Sequence, residues 1–165
     1  MTNQAPAPSR EWRSREWRSP GLLSGLGLGA FVDGILLHQL LQWHNMLSAV
    51  LPPNTLAAMQ LNMRWDGLFH LLAWLLAFAG VVQLYRAGVR GVLPRPGRRL
   101  AGQLVLGWGA FNLVEGLLDH ELLGIHHVRE VPHWLGYDLA FLGLGGVGLI
   151  LLGMLIGRRP RGPRT

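Results

Sequence analysis

Four apolar stretches, roughly 22–43, 65–85, 100–121 and 135–156, each run about twenty residues with few charges. That is the length a helix needs to cross ~30 Å of hydrocarbon. The runs are continuous and do not alternate apolar with polar residues, so helices fit and barrel strands do not. Between them stand loop signals: Pro52-Pro53-Asn54, Pro94-Arg95-Pro96-Gly97 and Pro132. The first stretch carries Asp33 and no evident small-residue cleavage site, and reads as an uncleaved span.

Composition agrees. Half of the 165 residues are hydrophobic and 15% are charged, which excludes a disordered chain. There is no Cys, so a disulfide scaffold, a thiolate redox site and a zinc ribbon are all excluded. All fifteen basic residues are Arg and the net charge is +6. A positive mean hydropathy beside so many arginines means that charge and apolarity are segregated along the chain.

The arginines set the expected orientation. Arg10, Arg13, Arg15 and Arg18 precede the first span, and Arg86, Arg90, Arg95, Arg98 and Arg99 lie between the second and third. Arg158, Arg159, Arg161 and Arg164 follow the fourth, leaving only Arg64 and Arg129 on the other side. The positive-inside rule places both termini in the cytoplasm of a multi-pass inner-membrane protein, with the arginines on an anionic cytoplasmic leaflet. Trp43, Trp65 and Trp134 mark the three outer span ends as an aromatic belt would. The expected organisation is an Arg/Trp-rich tail over 1–21, a membrane domain over 22–156 and an Arg-rich tail over 157–165. The repeated Arg-Glu-Trp-Arg-Ser at 10–14 and 15–19 reads either as an interfacial anchor or as a plain charged tail. Trp74 and Trp108 read as core.

Residues 32–45, VDGILLHQLLQWHN, align without a gap on 114–127, VEGLLDHELLGIHH, with seven identities in fourteen. Apolar helices share Leu and Gly by chance, but rarely an acid and two histidines in register. A weaker echo pairs Trp65-Asp66 and Phe69 with Tyr137-Asp138 and Phe141. The expected fold is all-α: an integral membrane four-helix bundle of two tandem helical hairpins, about 22–85 and 100–156, forming parallel repeats.

The strings VDGILLHQLLQWH, WDGLFH, FNLVEGLLDHELLGIHHVRE and YDLAFL, spread over most of 22–156, resemble those of a family of bacterial predicted four-span membrane proteins, catalogued as a domain of unknown function. The resemblance implies the fold and the membrane location, and supplies no activity.

Polar residues inside the spans carry the functional reading. Asp33, Asp66, Glu115, Asp119 and Asp138 lie in or at the edge of spans. A charge facing lipid at mid-bilayer costs ~2.5–3.5 kcal/mol even on a lenient scale, so the deeper ones should face inward with partners. By helix rise, His38 and His120 fall ~7 Å, and Asp33 and Glu115 ~15 Å, below the outer edge. His70 and Asp138 join them, and His44, His126, His127 and His133 are expected to cap the outer mouth. Asp66 and His70, four apart, share a helix face. The duplicated acid and His are five apart, ~140° around an ideal helix. Either the helix is distorted near Gly34 and Gly116, or acid and imidazole pair with different neighbours; the second is preferred, with His38 and His120 meeting across the pseudo-axis. Gly34 and Gly116 read as close-packing points.

A nitrogen and oxygen cluster without sulfur suits a divalent transition metal such as Zn, Cu(II) or Fe. The expected ligands are drawn from Asp33, His38, His44, Asp66, His70, Glu115, His120, His126, His127 and Asp138. The Glu-x-x-His spacing of di-iron bundles is absent. The leading reading is an outward-opening metal site, in a metalloenzyme or a metal-handling accessory of an envelope process. Alternatives are a haem-carrying electron-transfer subunit with His38 and His120 as axial ligands, a proton or ion conduit, and a purely structural polar network. A membrane-protein partner or a homo-oligomer is compatible with so small a bundle. Walker, nucleophile-elbow, dinucleotide and helix-turn-helix signatures are missing, so nucleic acid is not an expected partner.

Overall fold

The structure is a computed structural model and describes residues 20–93 and 97–158. The duplicated N-terminal pentapeptide, residues 94–96 and most of the C-terminal arginines lie outside the described residues.

Four long helices account for the described chain. Helix α1 spans Pro20–Leu40, α2 spans Leu56–Val89, α3 begins as Gly97–Glu115 and continues through Gly116–Leu122, and α4 spans Trp134–Gly157. Helices α1, α2 and α4 are long and apolar enough to cross a membrane. Helix α2 starts nine residues before its expected apolar stretch, because Leu56–Arg64 is helix-forming though interrupted by polar residues, and Thr55 caps it by accepting from Ala58 N–H at 3.2 Å. Helix α1 ends at Leu40, short of the expected 43.

Helix α1 packs on α2 and α3, and α3 packs on α1 and α4. The α1–α3 crossing is made by glycine. A Cβ on Gly25 would stand 2.2 Å from Leu104 O, and one on Gly107 would stand 2.2 Å from Leu22 O. Small residues let backbones touch where lipid offers no hydrophobic drive to bring helices together.

The interior is polar and the exterior apolar. Buried hydrophobics among the described residues are Ala30, Ala58, Phe69, Ala73 and Val128, while twelve polar or charged residues are buried. Leucines crowd the exposed faces of α2 and α4. Trp74, expected in the core, is 49% exposed and stacks on Phe78. A lipid-facing surface explains it, since an indole there replaces no buried packing.

Candidate metal centre

The acid-to-histidine spacing of five is resolved by helix geometry. Gly34–Leu40 and Gly116–Leu122 are π-helical. Bonding from i to i+5 stacks residues five apart on one face, which an α-helix does not do. His38 Nε2 therefore lies 3.2 Å from Asp33 Oδ2, and His120 Nε2 lies 3.0 Å from Glu115 Oε1. Of the two alternatives read from the sequence, local distortion is the one found. A Cβ on Gly34 would meet His70 Nε2 at 2.7 Å and Phe69 at 3.0 Å, and one on Gly116 would meet Leu142 at 2.8 Å. Both glycines are close-packing points, as expected.

Two residues past each of these two π segments stands a left-handed residue, Gln42 (φ 50°) or Gly124 (φ 56°). Trp43 N–H then returns to Leu37 O, and Ile125 N–H to Asp119 O. These reversals turn the adjoining loops inward. His44 and His126, expected at the outer mouth, are instead 2% and 0% exposed at the centre. They also displace the expected meeting of His38 and His120, because His44 and His126 stack between the two halves with centroids 4.6 Å apart and planes 15° apart.

All four imidazoles are oriented alike. His38 Nδ1 donates to Asp66 Oδ1 at 3.0 Å, His44 Nδ1 to Val128 O at 2.8 Å, and His126 Nδ1 to Met46 O at 3.2 Å. His120 Nδ1 faces Asp138 Oδ1 at 3.7 Å. A carbonyl can only accept, so His44 and His126 each carry a proton on Nδ1 and turn Nε2 inward. Burial, then repulsion from His126 and His38, pushes the His44 pKa down to about 2, so its imidazole is neutral.

These inward nitrogens face the carboxylates and one another. His126 Nε2 is hydrogen-bonded at 2.9 Å to Glu115 Oε1, which also faces His120 Nε2. Buried without a hydrogen-bond partner are Asp33 Oδ2, His38 Nε2, His44 Nε2, Glu115 Oε2 and His120 Nε2. Leaving one such atom unpaired costs about 1–3 kcal/mol. Two overlapping sets, His38/His44/His126 and Glu115/His120/His126, place their donor atoms within 4.8 Å of one another, close enough to hold a metal ion. Phe69 stacks on His38 and Phe141 lies against His120, at 5.3 and 5.4 Å, closing the sides with apolar rings.

Asp66 and Asp138 stand one step outside. Asp66 accepts from Met46 N–H and Asn45 Nδ2 as well as from His38. Asp138 accepts from Val128 N–H at 2.9 Å and His127 Nδ1 at 2.7 Å. Such carboxylates fix the tautomer and aim of a ligating imidazole. His127 thus supports Asp138 as Asn45 supports Asp66, and Asn45 was missed although it aligns with His127 in the duplicated string. His70 is not brought into the cluster: its Nδ1 donates to the backbone O of Asp66, one turn back, at 2.8 Å. His133 is exposed at the start of α4.

Residues 20–160 match the profile of a family described as predicted membrane protein, DUF2243. The chain belongs to that family. No curated protein and no solved structure matches it significantly. For this DUF2243 member, then, the cluster itself is the ground on which function can be argued.

Proposed function

We propose that this protein binds a divalent transition metal at the buried centre formed by Asp33, His38, His44, Glu115, His120 and His126, reached from the extracytoplasmic side. The observation that carries the reading is the convergence of ligand atoms. Two sets, His38/His44/His126 and Glu115/His120/His126, bring their donor atoms within 4.8 Å, and imidazole nitrogens face carboxylate oxygens at 2.9–3.2 Å, an arrangement that a cation between them satisfies. Nitrogen and oxygen donors without sulfur favour Zn, Cu(II) or Fe. Loaded, such a centre supplies Lewis-acid or redox activation of water or dioxygen, as an enzyme or a metal-handling accessory would use it.

The topology proposed is four spans with both ends in the cytoplasm of an inner membrane. Among the described residues, Arg86, Arg90, Arg98, Arg99 and Arg158 lie at one end of the helices and the centre near the other. We take the two hairpins as a tandem duplication. Reciprocal contacts support it: Gly25 to Leu104 O against Gly107 to Leu22 O, and His44 to Val128 O against His126 to Met46 O. A cleft of about 490 Å³, lined by Gln42, His44, Asn45, Ser48 and Glu130 among others, offers a way in from the loop side.

Binding is favoured over conduction because the glycine contact of α1 with α3 closes the inner half. A bare ion is favoured over haem because the stacked rings of His44 and His126 occupy the space a macrocycle between His38 and His120 would need. Protein purified in mild detergent should carry stoichiometric metal, lost in His38→Ala and His120→Ala. Folded protein that neither retains nor takes up Zn(II), Cu(II) or Fe(II) would refute the reading.

A further inference from the structure

We infer that the centre is dinuclear, with one ion held by Asp33, His38 and His44 and a second by Glu115, His120 and His126. The inference rests on the metal-binding reading above and adds the number of ions and the division of ligands between them.

Position in the chain and distance divide the ligands. Glu115, His120 and His126 all come from the second half and bring donor atoms within 4.8 Å of one another. Asp33, His38 and His44 are their counterparts at matched positions in the first half, with His38 Nε2 3.2 Å from Asp33 Oδ2 as His120 Nε2 is 3.0 Å from Glu115 Oε1. His38 and His44 are nearly perpendicular, at 72° with centroids 4.4 Å apart, and His120 and His126 repeat this at 74° and 4.8 Å. The crossed pairs are inclined as steeply but stand farther apart, His38 and His126 at 5.9 Å and His44 and His120 at 6.2 Å. Among these inclined pairs, the closest are therefore those within one half.

Charge agrees. Asp33, Asp66, Glu115 and Asp138 are all buried, and every ion pair they make among the described residues is with a histidine. Two dications carry four positive charges, as many as the negative charges these four carboxylates can carry. Each set also has its own outer carboxylate, Asp66 behind His38 and Asp138 behind His120. The second ion is thus supported as fully as the first.

The test is stoichiometry in the full-length chain, purified in detergent, stripped with chelator, reloaded with Zn(II) and desalted. Two zinc ions per chain are expected. His44→Asn and His126→Asn each keep an amide donor for Val128 O or Met46 O, so the bundle stays bonded while one ligand is lost. Each should fall to one zinc per chain. Loading with one equivalent of Cu(II) should give the spectrum of isolated copper, and two equivalents should give spin coupling with loss of signal intensity.

Saturation of the unsubstituted protein at one ion would overturn the inference while leaving the metal-binding reading intact. So would loss of all zinc in either single variant, or two magnetically isolated coppers. No binding at all would remove the metal-binding reading and this inference with it.

Discussion

His44 and His126 stack face to face, and each donates through Nδ1 to the backbone carbonyl two residues beyond the other, Val128 or Met46. The buried, neutral imidazole of His44 links stability to pH. The His44 pKa is pushed from 6.5 down to about 2, first by burial. Between those values the unfolded chain holds a proton that the folded one does not. The stability owed to neutral His44 is therefore complete above pH 6.5 and is lost as pH falls toward 2, at up to ~1.4 kcal/mol per pH unit. Metal-free protein in detergent should show a falling unfolding midpoint from pH 7 to pH 5, with a shallower fall in His44→Asn. Parallel slopes in the two proteins would contradict this.

Asp66 accepts from His38 Nδ1, Met46 N–H and Asn45 Nδ2 at once. Asp66→Asn keeps the shape but loses the charge that aims His38. Removing an outer carboxylate of this type weakens metal binding about 10–100-fold, and Asp138→Asn should match it through His120. Competition against a chromophoric chelator measures both. An unchanged affinity would mean that these carboxylates do not support the ligands.

Gln42 holds φ 50° where the corresponding turn has Gly124 at φ 56°. A side chain in the left-handed region costs ~1–2 kcal/mol, which glycine avoids. Gln42→Gly should raise the thermal midpoint in detergent by an amount equivalent to about 1 kcal/mol, and Gly124→Ala should lower it comparably. A drop on Gln42→Gly would show that the Gln42 side chain makes a compensating contact.

Gly25 and Gly107 admit no Cβ, since each would press within 2.2 Å of a backbone oxygen across the crossing. Gly25→Ala and Gly107→Ala should destabilise the chain by several kcal/mol or abolish its yield, because backbone has to move. Gly67→Ala, with nothing within 4 Å, is the control and should be neutral. Size-exclusion recovery after mild heating separates the outcomes.

The chain has no cysteine, so single introduced thiols report topology without background. Asn54→Cys should react with an impermeant maleimide in intact cells, and Gly91→Cys only after permeabilisation. The reverse pattern would invert the proposed orientation.

The helices were legible because continuous apolar runs of this length have few other solutions. The involvement of Asp33, His38, Glu115 and His120 was legible because the acid and the two histidines recur in register. The π segments were not, since a 3.6-residue period places the acid and the imidazole ~140° apart and nothing in composition announces a widened turn. The burial of His44 and His126 was hidden because hydropathy marks the end of a span just before each of them, and residues past a span end are expected to face water. Their recurrence at matched positions was the available signal. His70 misled through its four-residue spacing from Asp66, which the structure uses for a bond to backbone instead.

The crossed bonds of His44 and His126 also govern the order of assembly. The first hairpin alone offers His44 no Val128 carbonyl, and the second alone offers His126 no Met46 carbonyl. On the metal-binding reading, neither half would complete its own ligand triad in isolation. A nascent chain with only its first two helices inserted would then have nothing finished to load, and capture would wait until the last helix had docked.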